Sequence, residues 1–253
     1  MPKITAIIPT KNEAKNIAAA IESVSWADEI LVIDSYSTDE TVAIAQQKGA
    51  KIIQRVIDSF GKNKNYAISQ ATHPWVFILD ADERVTPELQ AEILNLLQTE
   101  PEKTAYWIYR QTYFMDKLVK YSGWQSDKVI RLFRKDCRYK EVNVHEEIAT
   151  EGEVGVLKNK LLHYTYNTIE QYLEKWDRYT TLSAKDRAAK TKEVTLFHLA
   201  VKPAVRFLRH YIIKLGFLDG KVGFIISYMA EVSVFMRYLK LWRFQEENKP
   251  GKP

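Results

Sequence analysis

Cysteine is almost missing from this chain: Cys137 is the single one in 253 residues. One thiol excludes an internal disulfide framework and any Cys-based zinc cluster, so a reducing compartment is the expectation. Glycine is scarce as well, at 9 residues. No Gly-x-Gly-x-x-Gly and no Walker-type loop follows the first apolar run, which argues against dinucleotide and P-loop readings. The start, Met1-Pro2-Lys3-Ile4, lacks the apolar stretch of a signal peptide. In the C-terminal part no stretch approaches the ~20 charge-free apolar residues that cross a bilayer. Its longest uncharged run, Val222 to Ala230, stops at Glu231 and is not expected to span. With 46% hydrophobic and 27% charged residues, disorder and a polytopic membrane protein are both excluded. The expected location is the cytoplasm.

What the chain does have is unevenly placed positive charge. The formal net charge is +5. Between residues 196 and 244 lie Lys202, Arg206, Arg209, Lys214, Lys221, Arg237, Lys240 and Arg243 against only Asp219 and Glu231, together with ten aromatic residues. Such a segment suits a helix pair on an anionic membrane surface. The same aromatics could equally form the core of a helical appendage. No nucleic-acid motif accompanies the charge, so nucleic acid is not expected as a partner.

The first hundred residues alternate strand and helix signals. Residues 3–9 (KITAIIP), 29–34 (EILVID), 50–54 and 75–79 (WVFIL) read as buried strands. Between them, Asn12 is expected to cap a helix running to Ser23. Ser37-Thr38-Asp39-Glu40 has the form of a capping box before a helix that stops at Gly49. A third helix covers 62–70, and Thr86-Pro87 opens a fourth. Wholly apolar strands separated by amphipathic helices indicate a parallel sheet covered on both faces. Ligands in such sheets sit beyond the C-terminal strand ends, here residues 10–13, 34–39 and 80–83. Tyr106–Tyr109 and Val129–Phe133 read as antiparallel strands. From Thr168 the chain is helical, with Tyr172, Leu173, Trp176 and Tyr179 expected on one face. Arg131 and Arg134, flanking Leu132 and Phe133, are expected on one strand face, suited to phosphate or to solvent.

Asp80-Ala81-Asp82-Glu83 follows five apolar strand residues directly. Alternation along an extended chain puts Asp80 and Asp82 on one side. Two carboxylates that close repel unless a cation or ribose hydroxyl lies between them. Mg²⁺ typically binds through one or two carboxylates plus substrate phosphates, so a metal–phosphate site is the favoured reading over acids that merely begin a loop.

Three motifs in order carry a resemblance: Ile7-Ile8-Pro9-Thr10-Lys11-Asn12-Glu13, then Val32-Ile33-Asp34-Ser35-Tyr36-Ser37-Thr38-Asp39-Glu40-Thr41, then Ile78-Leu79-Asp80-Ala81-Asp82-Glu83. Together they are similar to the family 2 glycosyltransferases of GT-A fold. Later pieces resemble the bacterial lipopolysaccharide-core β-1,4-glucosyltransferases: Gly123-Trp124 with Asp127, Ile130–Arg134, Val144-His145-Glu146, Leu162-His163-Tyr164 and Asp219–Phe224. The resemblance implies a mostly parallel α/β sheet flanked by helices with a C-terminal helical appendage. Residues 1–165 would be the catalytic domain (1–100 nucleotide-binding, 101–165 acceptor half), 166–246 the helical region and 247–253 a flexible tail.

The resemblance also implies roles. Pro9, Thr10, Asn12 and Glu13 would line the nucleotide pocket, with Asp34 near base or ribose and Lys62 and Asn65 in a segment closing over the nucleotide. Asp80 and the adjoining Ala81 would lie by the ribose or metal-bound water, and Asp82 would ligate Mg²⁺ or Mn²⁺. Gly123 and Trp124 would face the donor sugar. His163 is either a packed histidine or a further metal ligand. The family's usual acidic pair that supplies the base is absent in that form. Glu146, within His145-Glu146-Glu147, is the nearest match and Asp127 the next, although Glu146 could also be a surface residue of an edge strand.

The implied reaction is inverting transfer of a sugar, glucose from UDP-glucose foremost, to a hydroxyl of a lipid-anchored saccharide at the inner face of the cytoplasmic membrane. A polyprenyl-phosphate acceptor is the near alternative. A nucleotidyltransferase is more remote, because residues 9–13 lack the glycine-rich loop of that class. A module that only binds a nucleotide sugar is the non-catalytic alternative.

Overall fold

A computed structural model describes residues 2–56, 60–99, 101–140, 148–166 and 168–248. In chain order the elements are β1 (Ile4–Thr10), α1 (Ile17–Ser23), β2 (Glu29–Asp34), α2 (Thr41–Gln47), β3 (Lys51–Gln54), α3 (Phe60–Gln70), β4 (Trp75–Ile78), β5 (Glu83–Arg84) and α4 (Pro87–Gln98). They continue with β6 (Ala105–Phe114), β7 (Lys117–Leu118), β8 (Lys128–Arg134), β9 (Arg138–Tyr139), β10 (Ile148–Ala149), β11 (Val154–Val156), β12 (Leu161–Tyr166), α5 (Ile169–Ala188), α6 (Lys202–Leu208) and α7 (Gly220–Glu247). The chain divides into two compact units. The first comprises residues 1–111 and 126–163, the second residues 112–125 and 164–253.

In the first unit the sheet runs β3-β2-β1-β4-β8-β6. β3, β2, β1 and β4 pair parallel, and β8 then joins β4 and β6 antiparallel. The α/β architecture is therefore as expected, with an antiparallel extension on one side. Strand alternation explains its two cores. Ile4, Ala6, Ile8 and Phe77 point to one face, where Ile17, Ala20 and Ile21 of α1 and Leu89, Ile93 and Leu97 of α4 cover them. Ile7, Leu31, Ile33, Val76 and Ile78 point to the other, under Ala67 and Ile68 of α3. Each fully buried aliphatic side chain contributes roughly 1.5–3 kcal/mol, so both faces resist a one-residue slip of register.

Helix ends agree with the sequence in part. Thr86 Oγ1 accepts from Leu89 N at 3.2 Å, the expected cap. Gly49, at φ +78°, ends α2 in the left-handed conformation that glycine tolerates. The capping box over Ser37–Glu40 does not form: α2 begins at Thr41 without a side-chain cap. Nor does Asn12 cap α1, which begins only at Ile17. The polar side chains there hold neighbouring loops instead.

The second unit is largely helical. α5 opens on Thr168, whose hydroxyl accepts from Gln171 N at 3.2 Å. Of the face expected on α5, Tyr172 and Trp176 are half-buried, whereas Leu173 and Tyr179 are exposed; Thr180 and Ala184 are its buried residues. Single π-turns at Phe197–Val201 and Arg209–Ile213 flank α6. Asp219 precedes α7, and its carboxylate accepts from Lys120 N at 3.1 Å and Tyr121 N at 2.9 Å. Four residues on, Gly223 lets the Gly216 carbonyl approach so closely that a Cβ would lie 1.8 Å from its oxygen. The Asp219–Phe224 motif thus has a packing role. The expectation of no membrane-length segment needs correction: Gly216–Glu247 is long and apolar enough to cross a membrane by length and composition. Glu231 ends the charge-free run but not the helix, since α7 continues through it and through Arg237, Lys240 and Arg243 to Glu247.

Candidate active site

The site grows from the carboxyl ends of β1, β2 and β4, all in the first unit. β1 and β2 end in register, Thr10 beside Asp34, and the loops beyond them interlock. Asn12, at φ +55°, donates its backbone N–H to Ser37 Oγ at 2.8 Å and accepts from Thr38 N at 2.8 Å. Glu13 N donates to Thr41 Oγ1 at 2.8 Å. Asp34 is fully buried; it accepts from Ser37 N at 3.0 Å and Gln54 Nε2 at 3.1 Å, and from the Ser37 hydroxyl. These contacts fix the shape of the mouth. Thr10 leaves its buried hydroxyl oxygen without a partner at the strand end, and Pro9 beside it is half-buried.

The acidic turn after β4 departs from simple alternation. The strand ends at Ile78 and the chain then turns, with Glu83 N donating to Asp80 O at 2.8 Å and Asp80 N to Glu83 Oε2 at 3.1 Å. Asp80 and Asp82 do not share one strand face. Asp80 ion-pairs with Arg131, and Lys64 Nζ lies 4.0 Å from its other oxygen. Burial opposes ionisation of Asp80, but Arg131, then Lys64 and Arg110, outweigh it and hold the carboxyl well below the usual carboxylate range. Ala81 is buried in the turn, and Arg84 Nη1 donates to its carbonyl at 2.7 Å.

Two positions hold this turn together: Glu83, the acid of the motif for which no role was expected, and Arg110, which no motif contains. Glu83 has no exposed surface and accepts from Arg131 at 2.7 Å and Arg110 at 3.3 Å. Arg110 in turn makes a bidentate contact with Asp127, at 2.9 and 3.0 Å. The chain Asp80–Arg131–Glu83–Arg110–Asp127 links β4, β5, β6 and β8. Burial lowers the Arg131 guanidinium's affinity for its proton, but Asp80 and Glu83 more than restore it, leaving it well above the ordinary value. The pairing of Arg131 and Arg134 on one face is not observed. They are an odd number of residues apart, so Arg131 points inward while Arg134 is exposed, its guanidinium 5.6 Å from the Trp75 ring. Sequence gave no signal for Arg110; the mixed sheet that brings β6 beside β8 creates its role.

Asp82 is brought to His163 by strand pairing. β12 runs antiparallel to β5 with His163 opposite Glu83, and His163 Nε2 lies 3.6 Å from Asp82 Oδ2. His163 Nδ1 is buried without a hydrogen-bond partner. Among the described residues no set of three or more His, Cys, Asp and Glu could enclose a metal. One carboxylate and one imidazole nonetheless suit a divalent ion that takes its other ligands from diphosphate and water. The donor set fits such an ion in that open form, through Asp82 and His163 rather than through Asp80.

The remaining residues are dispersed. Asn65 Nδ2 donates to Tyr139 O at 2.9 Å and its Oδ1 accepts from Tyr139 N at 2.7 Å, which ties α3 to β9. Lys62 is exposed, and Lys64 is the lysine of that segment near Asp80. Glu146 lies outside the described residues, as does His145. Gly123 and Trp124 belong to the second unit; Gly123 sits at φ +86° in a turn.

The glycosyl transferase family 2 profile matches residues 5–149, the span that contains the interlocked loops and the acidic turn. An uncharacterized glycosyltransferase of Rickettsia felis is 31% identical over 95% of this chain and 90% of its own. A lipopolysaccharide core biosynthesis glycosyltransferase, LpsC, of Rhizobium meliloti is 26% identical over 94% of each. Among solved structures, glucosyl-3-phosphoglycerate synthase from Mycobacterium tuberculosis, in complex with Mn²⁺, UDP and glucosyl-3-phosphoglycerate, has a TM-score of 0.38 at 22% identity. That likeness covers 44% of this chain and 44% of the other, less than half of either. From its sequence over most of its length, this chain belongs to glycosyl transferase family 2.

Proposed function

We propose that the protein is an inverting hexosyltransferase that moves glucose from UDP-glucose to a hydroxyl of a lipid-anchored saccharide of the lipopolysaccharide inner-core type. The observation that carries this reading is the Asp82–His163 pair beside the strand mouths, with Asp80 held ionised by Arg131. Asp82 and His163 would hold Mg²⁺ or Mn²⁺, which supplies Lewis-acid stabilisation of the leaving diphosphate. Asn12, Glu13 and the Asp34-centred loop shape the space for uridine and ribose. The acceptor hydroxyl is a poor nucleophile at neutral pH, so a carboxylate must take its proton as the bond forms. Glu146 is the residue proposed for this. Asp127 is the second candidate, and its bidentate contact with Arg110 leaves it fewer free lone pairs for the task. One base and one displacement invert the anomeric centre.

The second unit supports placement at a membrane. Val205, Leu208 and Ile212 of the α6 region are exposed, together with Leu196 (82%) and Ile213 (71%). Arg206, Arg209 and Lys221 are exposed among them. Apolar side chains fringed by cations fit the interface of an anionic leaflet, which favours peripheral contact with the inner face of the cytoplasmic membrane. A polyprenyl-phosphate acceptor is the second reading, favoured by the same surface. The test is UDP release from UDP-glucose, UDP-galactose and UDP-N-acetylglucosamine with Mn²⁺ and a lipid-linked acceptor. UDP-glucose should be turned over fastest. No release with any donor, from a folded protein, would reject the proposal.

A further inference from the structure

The second unit contains a cavity of about 220 Å³ to which the function proposed above assigns no step. Its wall is aromatic: Phe114, Trp124, Tyr166, Tyr172, Trp176 and Tyr179 line it. Edge-to-face contacts set the rings, with Phe114 and Tyr172 centroids 5.6 Å apart and Tyr166 and Tyr172 4.8 Å apart. Trp176 is fixed by donating Nε1–H to Ser233 Oγ at 2.5 Å. Burial, then Tyr166, pushes the Tyr172 phenol up to about 12, so it stays neutral.

Arg206, His210 and Arg237 line the same cavity, and no carboxylate lines it. Among the described residues neither guanidinium makes a hydrogen bond or ion pair, and Arg237 Nε and His210 Nδ1 are both buried without a partner. Burial, then Arg187 and Arg206 nearby, lowers the Arg237 guanidinium from its ordinary value. Burial and then Arg206 pull His210 down to about 4, so its ring adds hydrogen bonding and no charge at neutral pH. Two guanidiniums that repel one another across a cavity without acid are an arrangement that an anion relieves, and arginine forks match phosphate oxygens in geometry. The volume is below the ~300–1,000 Å³ of a complete small-molecule pocket, the size of a head group rather than of a whole glycolipid. The neighbouring residues Val205 and Leu208 on the same helix are exposed and apolar.

We propose that this cavity binds a phosphate group carried by an amphiphile, with Arg237 and Arg206 donating to the phosphate oxygens and the aromatic wall receiving the group to which the phosphate is attached. That the amphiphile is the sugar acceptor rests on the function proposed above; the anion site itself does not.

The test is a fluorescence titration of the full chain, read through its tryptophans, two of which stand in the cavity wall. The probes are inorganic phosphate, dihexanoyl phosphatidic acid and dihexanoyl phosphatidylcholine, each without metal. Saturable binding of both anions, phosphatidic acid the tighter, and at least about ten-fold weaker binding in Arg237→Gln is the expected result. Arg206→Gln, at the exposed rim, should weaken it with no change in melting temperature, and Lys185→Gln should leave it unaltered. Equal affinity for the two anions would overturn the amphiphile in favour of a soluble phosphorylated ligand. Unsaturable titration, or identical curves for Arg237→Gln, Arg206→Gln and the parent, would overturn the site. A parallel titration with UDP and Mn²⁺ separates the two readings: if the transferase reading fails, UDP does not bind while phosphate still saturates. Asp82→Asn should likewise leave the phosphate curve unchanged.

Discussion

Replacing Arg131 by methionine should destabilise the first unit by about 3 kcal/mol. Arg131 is 4% exposed and pairs with Glu83, which is fully buried, at 2.7 Å, as well as with Asp80. Removing one partner of a buried ion pair costs about 3–5 kcal/mol, because a charge is left buried and uncompensated. The lower end applies here: Arg110 remains 3.3 Å from the same Glu83 oxygen, and Lys64 remains 4.0 Å from Asp80. At about 2–4 °C per kcal/mol for a chain of this length, melting should fall by about 6–12 °C. Adding Glu83→Gln should restore part of the loss, a coupling of at least about 1 kcal/mol in a double-mutant cycle. The pH dependence has a definite sign. Asp80's folded value is depressed, chiefly through Arg131 working against burial. Its contribution is therefore present above the ordinary carboxylate range and is lost as pH falls through the folded value. Without Arg131 that contribution is missing at every pH, so the gap between parent and variant should hold from neutral pH down to about pH 4 and close only on further acidification toward the folded value. Urea denaturation at each pH reads both quantities. A loss below about 1 kcal/mol, or a gap that does not change with pH, would show that the Arg131 pair does not organise the acidic turn.

Other expectations follow from the same geometry. Asp82→Asn and His163→Gln should each weaken Mn²⁺-dependent UDP binding by at least about 10–100-fold, the range seen when even the outer partners of metal ligands are altered, with melting nearly unchanged; calorimetry with and without Mn²⁺ checks this. Gly223→Ala places a methyl group against the Gly216 carbonyl and should cost more than the ~1–3 kcal/mol of ordinary overpacking, seen as a large fall in the melting temperature of the helical unit. Leu208→Glu with Ile213→Glu should reduce flotation with phosphatidylglycerol vesicles several-fold without altering UDP binding. Equal flotation of parent and variant would remove the membrane reading of that surface.

The parallel half of the sheet was legible because each strand was apolar throughout and each helix carried a periodic face. The division of the first strand between two cores, with Ile4, Ala6 and Ile8 in one and Ile7 in the other, emerges only once helices cover both faces. Thr86 and Gly49 were legible because a cap and a left-handed stop depend on only a few neighbouring residues. Ser37, Asp39 and Asn12 were misread for the opposite reason. Short polar side chains offer the same hydrogen bonds to a helix end or to a distant loop, and here they join two loops about 25 residues apart in sequence. The acid cluster at 80–83 was visible as a composition anomaly, yet its internal division was not. Which carboxylate meets Arg131 and which meets His163 depends on β8 and β12, about 50 and 80 residues downstream. Arg110 and Glu83 form a pair that no local pattern marks.

Residues 112–125 leave the first unit, complete the second, and return. This has a consequence for synthesis and for truncation alike. Tyr121 N is held by Asp219, 98 residues later in the chain. At about 5–20 residues per second, the nascent segment waits roughly 5–20 s before its anchor emerges from the ribosome. Phe114 and Val119, which pack against Ile226 in the finished unit, stay uncovered for that interval. A shortened chain ending near His163 would keep them uncovered permanently, so loss of function on truncation would report a broken excursion as readily as a missing membrane contact.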